Sequence, residues 1–242
     1  MGKIAAFFDI DGTLYRDSLM IEHFKKLIKY DVIDQKEWFI HARDTFIDWD
    51  KRQGNYDDYL DEVCDLYVKS LVGLDKTCID FTSDQVIKLK SDRVYKYTRS
   101  RIKWHLNNGH IVIFISGSPD FLVKKMADKY KVSDFAGSKY LFDGDIFNGT
   151  VVPMWDSKSK NNAIDDFISK YDIDLSQSYA YGDTNGDINM LRRVGNPIAI
   201  NPTKELILHM SDDPSLSESA KIIIERKDVV YSLSTKTDII DI

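Results

Sequence analysis

The chain has little cysteine, little histidine and no long apolar run. Among its 242 residues Cys64 and Cys78 are the only cysteines, too few and too unpatterned for a disulfide framework or a zinc site. The 5 histidines are scattered and form no metal-spaced pair. The longest apolar stretches, such as "IAAFF" and "IVIFI", are about five residues, whereas a membrane-spanning helix needs about 20. Positive charge is also short: 33 Lys and Arg stand against 39 Asp and Glu, a net charge of -6. That balance argues against nucleic acid as a main partner, because a phosphate backbone selects basic surfaces. The start, "MGKIAAFFD", lacks the length of a signal peptide, and Ala6 stands where a myristoylation motif needs Ser or Thr. No repeat and no Pro- or Ser-rich linker is visible. The expectation is a soluble, reduced, cytoplasmic protein with no membrane insertion.

What is present is the composition of an ordinary globular protein, 43% hydrophobic. At this length it forms one large domain or two smaller ones and needs no staples. The texture changes along the chain. From about Arg16 to Gln85 the pattern is helical. "LMIEHFKKLIKY" sets Leu19, Phe24, Leu27 and Ile28 at helical spacing. "YDDYLDEVCDLYVKSLVG" does the same with Tyr59, Val63, Leu66, Tyr67 and Leu71, and Gly73 is its stop. Trp38, Phe39, Phe46, Trp49 and Tyr56 lie between these helices and are expected to form most of the segment's small core, with one or two left to face a ligand.

Beyond residue 85 strands and helices alternate. A helix is expected across "SDRVYKYTRSRIKWHLNNG", with Ser91 near its cap and Gly109 past its end. The strand "HIVIFI", a helix from about Pro119 to Tyr130, a hairpin around Asp143-Gly144, a helix over "KNNAIDDFISKY", the strands "SYAY" and "PIAI", the helix "TKELILHM" and a less regular end at "KIIIE" follow. Apolar strands alternating with helices imply a parallel sheet covered on both faces.

Three of those strands end alike. "IAAFF" runs into Asp9, "IVIFI" into Ser116-Gly117-Ser118, and "SYAY" into Gly182-Asp183. In an open parallel sheet the strand C-termini share one edge, where ligands bind, so these polar ends are expected to converge. Asp9 and Asp11 are two residues apart, which in an extended chain puts both carboxylates on one face; Asp-x-Asp-Gly also suits a simple turn. Asp9, Asp11, Asp183 and Asp187 would bring four carboxylates into one crevice. Two unit charges about 4 Å apart repel by roughly 4 kcal/mol at an effective dielectric near 20, so neutralisation is required. An all-oxygen donor set points to a hard cation, Mg2+ ahead of calcium. Ser116 and Gly117 offer a hydroxyl and an open backbone N–H at the start of a helix, a setting that binds phosphate. Lys158 and Lys160 stand at another helix start, where a cation opposes the helix dipole; offsetting a phosphorylated group would explain such a residue, and so would a solvated lysine pair.

"DIDGT" near the N-terminus, "SGS" after a middle strand, a lysine before a helix and "GDTNGD" after a later strand together resemble the haloacid dehalogenase superfamily of phosphohydrolases. The likeness runs the length of the chain. The helical segment and the closing "GNPIAINPTKEL" are similar to the phosphoserine-phosphatase-like branch with a helical cap, subfamily IB. The resemblance implies an α/β fold, a Rossmann-like parallel sheet flanked by helices with a small α-helical cap inserted after the first strand. Residues 1–15 and 86–242 would form the catalytic core and 16–85 the cap, a lid that excludes water and selects the substrate. It implies Asp9 as nucleophile, forming an aspartyl phosphate, and Asp11 as acid toward the leaving oxygen and then base toward water. It implies magnesium held by Asp9, the Asp11 backbone carbonyl, Asp183 and Asp187, and phosphoryl oxygens gripped by Ser116 and Gly117. Lys160 fits the family lysine better than Lys158, because Ile164 matches the apolar position four residues on.

The implied activity is hydrolysis of a small-molecule phosphate ester; transfer of the phosphoryl group to an acceptor alcohol, or a non-catalytic phosphate-binding homologue, are the alternatives. Two positions depart from the phosphoserine phosphatases. Ser18 stands where they carry a glutamate for the substrate ammonium, with Glu22 one helical turn further, and Gly186 stands where they often carry an asparagine.

Overall fold

The computed structural model describes residues 2–240. Its elements in chain order are β1 (Ala5–Phe8), α1 (Leu19–Lys29), α2 (Gln35–His41), α3 (Arg43–Asp50), α4 (Tyr56–Leu71), α5 (Lys76–Lys90), α6 (Lys96–Asn107), β2 (Ile111–Pro119), α7 (Asp120–Tyr130), β3 (Asp134–Asp143) and β4 (Ile146–Val152). They continue with α8 (Ser157–Tyr171), β5 (Tyr179–Gly182), α9 (Ile188–Arg192), β6 (Asn196–Ile200), α10 (Lys204–Asp212), β7 (Lys221–Arg226) and β8 (Val229–Ser234). The chain divides into two compact units.

The first unit holds Met1–Ser18, Ser91–Ser138 and Pro153–Ile242. Its strands run in the order β3-β2-β1-β5-β6-β7-β8, and every pair is parallel except β7 with β8. Strand alternation sorts the side chains by face. Phe7, Ile113, Ala180 and Ala199 join a buried cluster with Ile164, Phe167, Met190, Leu206 and Met210 of α8, α9 and α10. Phe8, one residue on, stacks on Tyr181 at 4.1 Å and meets Phe114 and His105 edge-on. This is the expected sheet, with helices on both faces.

Two local expectations change. Helix α6 begins at Lys96, not near Ser91, because residues 93–95 are extended: Tyr15 bridges Val94, Arg16 N donates to Arg93 O at 3.0 Å, and Tyr95 N donates to Leu14 O at 3.0 Å. Gly109 does lie past its end, at a φ of 71° that glycine adopts readily. "KIIIE" is not irregular but β7, turned back into β8 at Lys227, whose φ is 36°. That turn carries no Gly or Asn, so the sequence gives no hairpin signal there.

The second unit holds Leu19–Lys90 and, from far along the chain, Lys139–Val152. A helical segment is therefore inserted after β1, but the expected span of 16–85 differs at both ends and omits the hairpin. The stitching of residues 14–16 to 93–95 keeps that stretch with the sheet. Strand β3 leaves the first unit at Ser138 and pairs antiparallel with β4 through the Asp143-Gly144 turn, Gly144 at a φ of 62°. Tyr59, Val63, Leu66, Tyr67 and Leu71 form the buried face of α4, as their spacing requires, and Asn55 caps its start. The aromatics Trp38, Phe46, Trp49, Tyr56 and Tyr59 contact one another in series, but apart from Tyr59 they are only half-buried, and Phe39 is 50% exposed. The unit's fully buried centre lies instead around Phe24, Tyr67 and Phe147. Among the described residues no helix is long and apolar enough to cross a membrane.

Candidate active site

The C-terminal ends of β1, β2 and β5 are neighbours in one parallel run, so the residues after them share one edge. Asp9 follows β1 and is 5% exposed; Asp183 follows β5; Asp187 sits one short turn later and is fully buried. One carboxylate oxygen from each of Asp9, Asp183 and Asp187 lies within 4.8 Å of the others. Lys160, in the first turn of α8, donates to Asp9 Oδ1 at 2.8 Å and to Asp187 Oδ1 at 2.6 Å. Lys158, two residues before it, is exposed. The helix start alone left the two lysines open. Of the two, Lys160 is the one buried against the carboxylates.

The remaining oxygens are held as tightly. Asp187 Oδ2 accepts the backbone N–H groups of Asp183 at 3.1 Å and Thr184 at 3.2 Å. The latter bond is half of a capping box, since the Thr184 side chain takes the Asp187 N–H in return. Thr13 Oγ1 donates to Asp183 Oδ1 at 2.7 Å. Two glycines make this closeness possible. A Cβ on Gly12, whose φ is +79°, would fall 2.0 Å from Asp183 Oδ2, and one on Gly182 would fall 2.4 Å from the Asp187 Cβ.

The sequence grouped four carboxylates, whereas the structure gathers three. The Asp11 side chain is outside that cluster, and its Oδ2 accepts a hydrogen bond from Ser118 Oγ. Ser116 and Gly117 are not at a helix start. They belong to the bulged end of β2, and α7 begins only at Asp120. Ser116 is fully buried, with Oγ accepting the Ser118 N–H at 3.2 Å. Gly117 lies against Trp155: a Cβ there would be 2.9 Å from the Trp155 Cβ. Its carbonyl accepts from Ser138 Oγ at 2.7 Å.

Charge is the dominant physical feature of this edge. Three carboxylates face one ammonium group. Burial raises the Asp9 carboxyl to about 8 against the pull of Lys160, and the neighbouring Asp187 and Asp11 add to the rise. Burial, with the buried Asp9 and Asp187 beside it, raises Asp183 well above the usual carboxylate range. Burial opposes the charge on Lys160, but Asp187 and Asp9 outweigh it and keep the amine protonated. Buried carboxyls whose charged forms are disfavoured in this way, with oxygen-only donors, are the setting that a hard divalent cation relieves. The residues present fit such an ion.

Reading by residue type missed several contributors. Thr13 and Ser118 stand inside quoted motifs but were given no task; their polar hydrogens are the available signal. Ser138 lies far from any motif, and Trp155 stands just before the segment of Lys158 and Lys160 without any feature of the pattern to mark it. The helical unit has a concavity of about 540 Å3 bounded by Ile33, His41, Leu66 and Lys69, and none of the motif residues lines it.

The profile of haloacid dehalogenase-like hydrolases matches residues 6–192 of the chain. Phosphoserine phosphatase SerB1 of Mycobacterium tuberculosis is 25% identical over 212 residues, 84% of this chain and 66% of its own length, so the chain spans about two thirds of that relative. Among solved structures, a Bordetella pertussis Tohama I protein with unknown function superposes with a TM-score of 0.69 at 16% identity, covering 87% of this chain and 95% of that one. A phospho-aspartyl intermediate analogue of phosphoserine phosphatase superposes with a TM-score of 0.60 at 20% identity, covering 94% and 96%. At these identities the structural matches concern the fold.

Proposed function

The chain belongs to the haloacid dehalogenase-like hydrolases, and from that premise we propose that it is a magnesium-dependent phosphomonoesterase acting through an aspartyl phosphate. The observation that carries the reading is Lys160, buried between Asp9 and Asp187 inside a three-carboxylate cluster at the sheet edge. Lys160 engages Oδ1 of Asp9, which leaves Oδ2 to attack phosphorus. As that O–P bond forms, the bond to the ester oxygen breaks, and Asp11 gives its proton to the departing alkoxide. Asp11 then takes a proton from the water that attacks the acyl phosphate, releasing inorganic phosphate and restoring Asp9. Ser116 Oγ, already accepting the Ser118 N–H, has its own proton to give to a phosphoryl oxygen, beside the Gly117 N–H. Asp9, Asp183 and Asp187, with the Asp11 backbone carbonyl, would hold the Mg2+, which supplies charge neutralisation for the transferring phosphoryl group.

The substrate is read as a small alcohol phosphate. Phosphoserine, named for SerB1, is one candidate. A requirement for an ammonium group is not supported: Ser18 replaces the expected glutamate, and the Glu22 carboxylate is engaged by Lys25 at 3.2 Å and Lys90 at 3.8 Å. Hydrolysis of p-nitrophenyl phosphate with and without magnesium tests the reading. The wild type is expected to turn over only with the ion, and Asp9→Asn to lose more than about a thousandfold. An Asp9→Asn protein as active as the wild type would refute the nucleophile.

A further inference from the structure

We propose that Ser118 is a positioning residue for Asp11, fixing the carboxylate in the orientation from which it passes a proton to the leaving oxygen. The inference rests on the reading of Asp11 as acid and base given above. Ser118 is 3% exposed at the bulged end of β2, and its Oγ donates to Asp11 Oδ2. A hydroxyl has one proton to donate, and here it goes to Asp11.

The two serines of "SGS" divide the work. Ser116 Oγ is an acceptor for the Ser118 N–H at 3.2 Å, whereas Ser118 Oγ is a donor to the carboxylate across the sheet edge. The backbone that carries Ser118 is fastened from several directions. Ser138 Oγ donates to the Gly117 carbonyl at 2.7 Å and accepts the Met154 N–H at 3.1 Å. The Ser118 carbonyl is packed so closely on Gly137 that a Cβ there would approach it to 3.0 Å. The donor is therefore held by its surroundings.

Rigidity at this point has a chemical consequence. The terminal torsion of an aspartate is broad and roughly two-fold, so a carboxylate can present either oxygen. Committing Oδ2 to Ser118 sets that torsion and aims Oδ1. In the protonated acid the proton then resides on Oδ1, since Oδ2 is accepting. It moves to the ester oxygen as the Asp9–phosphorus bond forms and the phosphorus–ester bond breaks. Catalytic groups need such support to within about half an ångström.

The test is a leaving-group comparison of kcat/KM, which reports steps through phosphoenzyme formation. Phenyl phosphate and p-nitrophenyl phosphate are similar in shape, but the phenoxide needs protonation far more than the nitrophenoxide. Ser118→Ala is expected to lose about tenfold more on phenyl phosphate than on p-nitrophenyl phosphate, and Ser118→Thr, which keeps the hydroxyl, to restore the ratio. Asp11→Asn should discriminate in the same direction and more strongly. The ratio does not depend on the folded fraction, so a less stable variant still reports. Equal losses on both esters for Ser118→Ala, with Asp11→Asn discriminating, would overturn the role of Ser118 alone. Should Asp11→Asn fail to discriminate, the acid role of Asp11 falls, and this inference with it.

Discussion

Each unit buries a histidine against a tyrosine hydroxyl, yet the two interiors are balanced differently. In the helical unit His23 lies between Tyr67 Oη and Thr82 Oγ1, both at 2.7 Å, and the buried Glu22 is met by Lys25 and Lys90. Donors and acceptors there cancel within the protein. At the sheet edge of the other unit Asp9, Asp183 and Asp187 cluster, and Lys160 pairs with Asp9 and Asp187. A neutral network stabilises a unique packing. A crowd of buried carboxyls held away from their ordinary ionisation does the opposite until something outside the chain compensates them, and so it marks where a ligand is to be expected.

Removing the compensating cation breaks this contrast most forcefully. Lys160→Met leaves the carboxylates facing one another in a buried site, and deleting one partner of a buried ion pair costs about 3–5 kcal/mol. For a chain of this size that corresponds to a fall in melting temperature on the order of 10 °C. Magnesium should recover part of the loss in thermal melts, because an ion bound to the native state alone stabilises it. No fall, or no recovery, would mean that the cluster is not charged in the way described.

The helical unit gives a smaller response of a different kind. His23→Leu deletes the bonds to Tyr67 and Thr82 in a fully buried position, a cost of about 1–3 kcal/mol. Magnesium should leave that deficit unchanged. If the ion rescued His23→Leu as well as it rescued Lys160→Met, the division between a self-compensated interior and a ligand-dependent one would be lost.

The same contrast explains what the sequence made legible. In the first unit, strand alternation and parallel order carry Asp9, Ser116 and Asp183 to one edge from widely separated positions in the chain, so each motif could be placed by the strand before it. Lys160 was narrowed to one of two lysines by likeness, and its burial now supplies a physical reason. The strand model failed where local geometry departs from it: the bulge in β2 delays α7 and takes Ser116 and Gly117 off a helix N-terminus. It also failed where contacts are non-local, as in the hairpin that joins the helical unit and in Ser138 behind Gly117. For the aromatics between α1 and α4, helical spacing finds an apolar face but not its depth, and Trp38, Phe46 and Trp49 proved only half-buried.

The smallest effect sharpens the comparison through pH. His105 in the sheet-bearing unit is fully shielded, with Nε2 2.9 Å from Tyr181 Oη and Nδ1 2.8 Å from His110 Nδ1. Burial, with Arg101 and His110 beside it, lowers its pKa from 6.5 to about 3. Arg101 Nε donates to Tyr181 Oη at 3.2 Å, and a protonated imidazole would place a second positive charge beside that guanidinium. The native state thus keeps His105 neutral while the unfolded chain takes up a proton below 6.5. Its contribution is complete above that pH and is lost as pH falls toward 3, about 1 kcal/mol by pH 5.5. The raised carboxyl of Asp9 acts with the opposite sign, favouring the native state on acidification, so the two must be separated by difference. Denaturant midpoints between pH 7 and 5 should fall less steeply for His105→Gln than for the wild type. Parallel slopes would show that this buried imidazole adds packing without adding a proton-linked term.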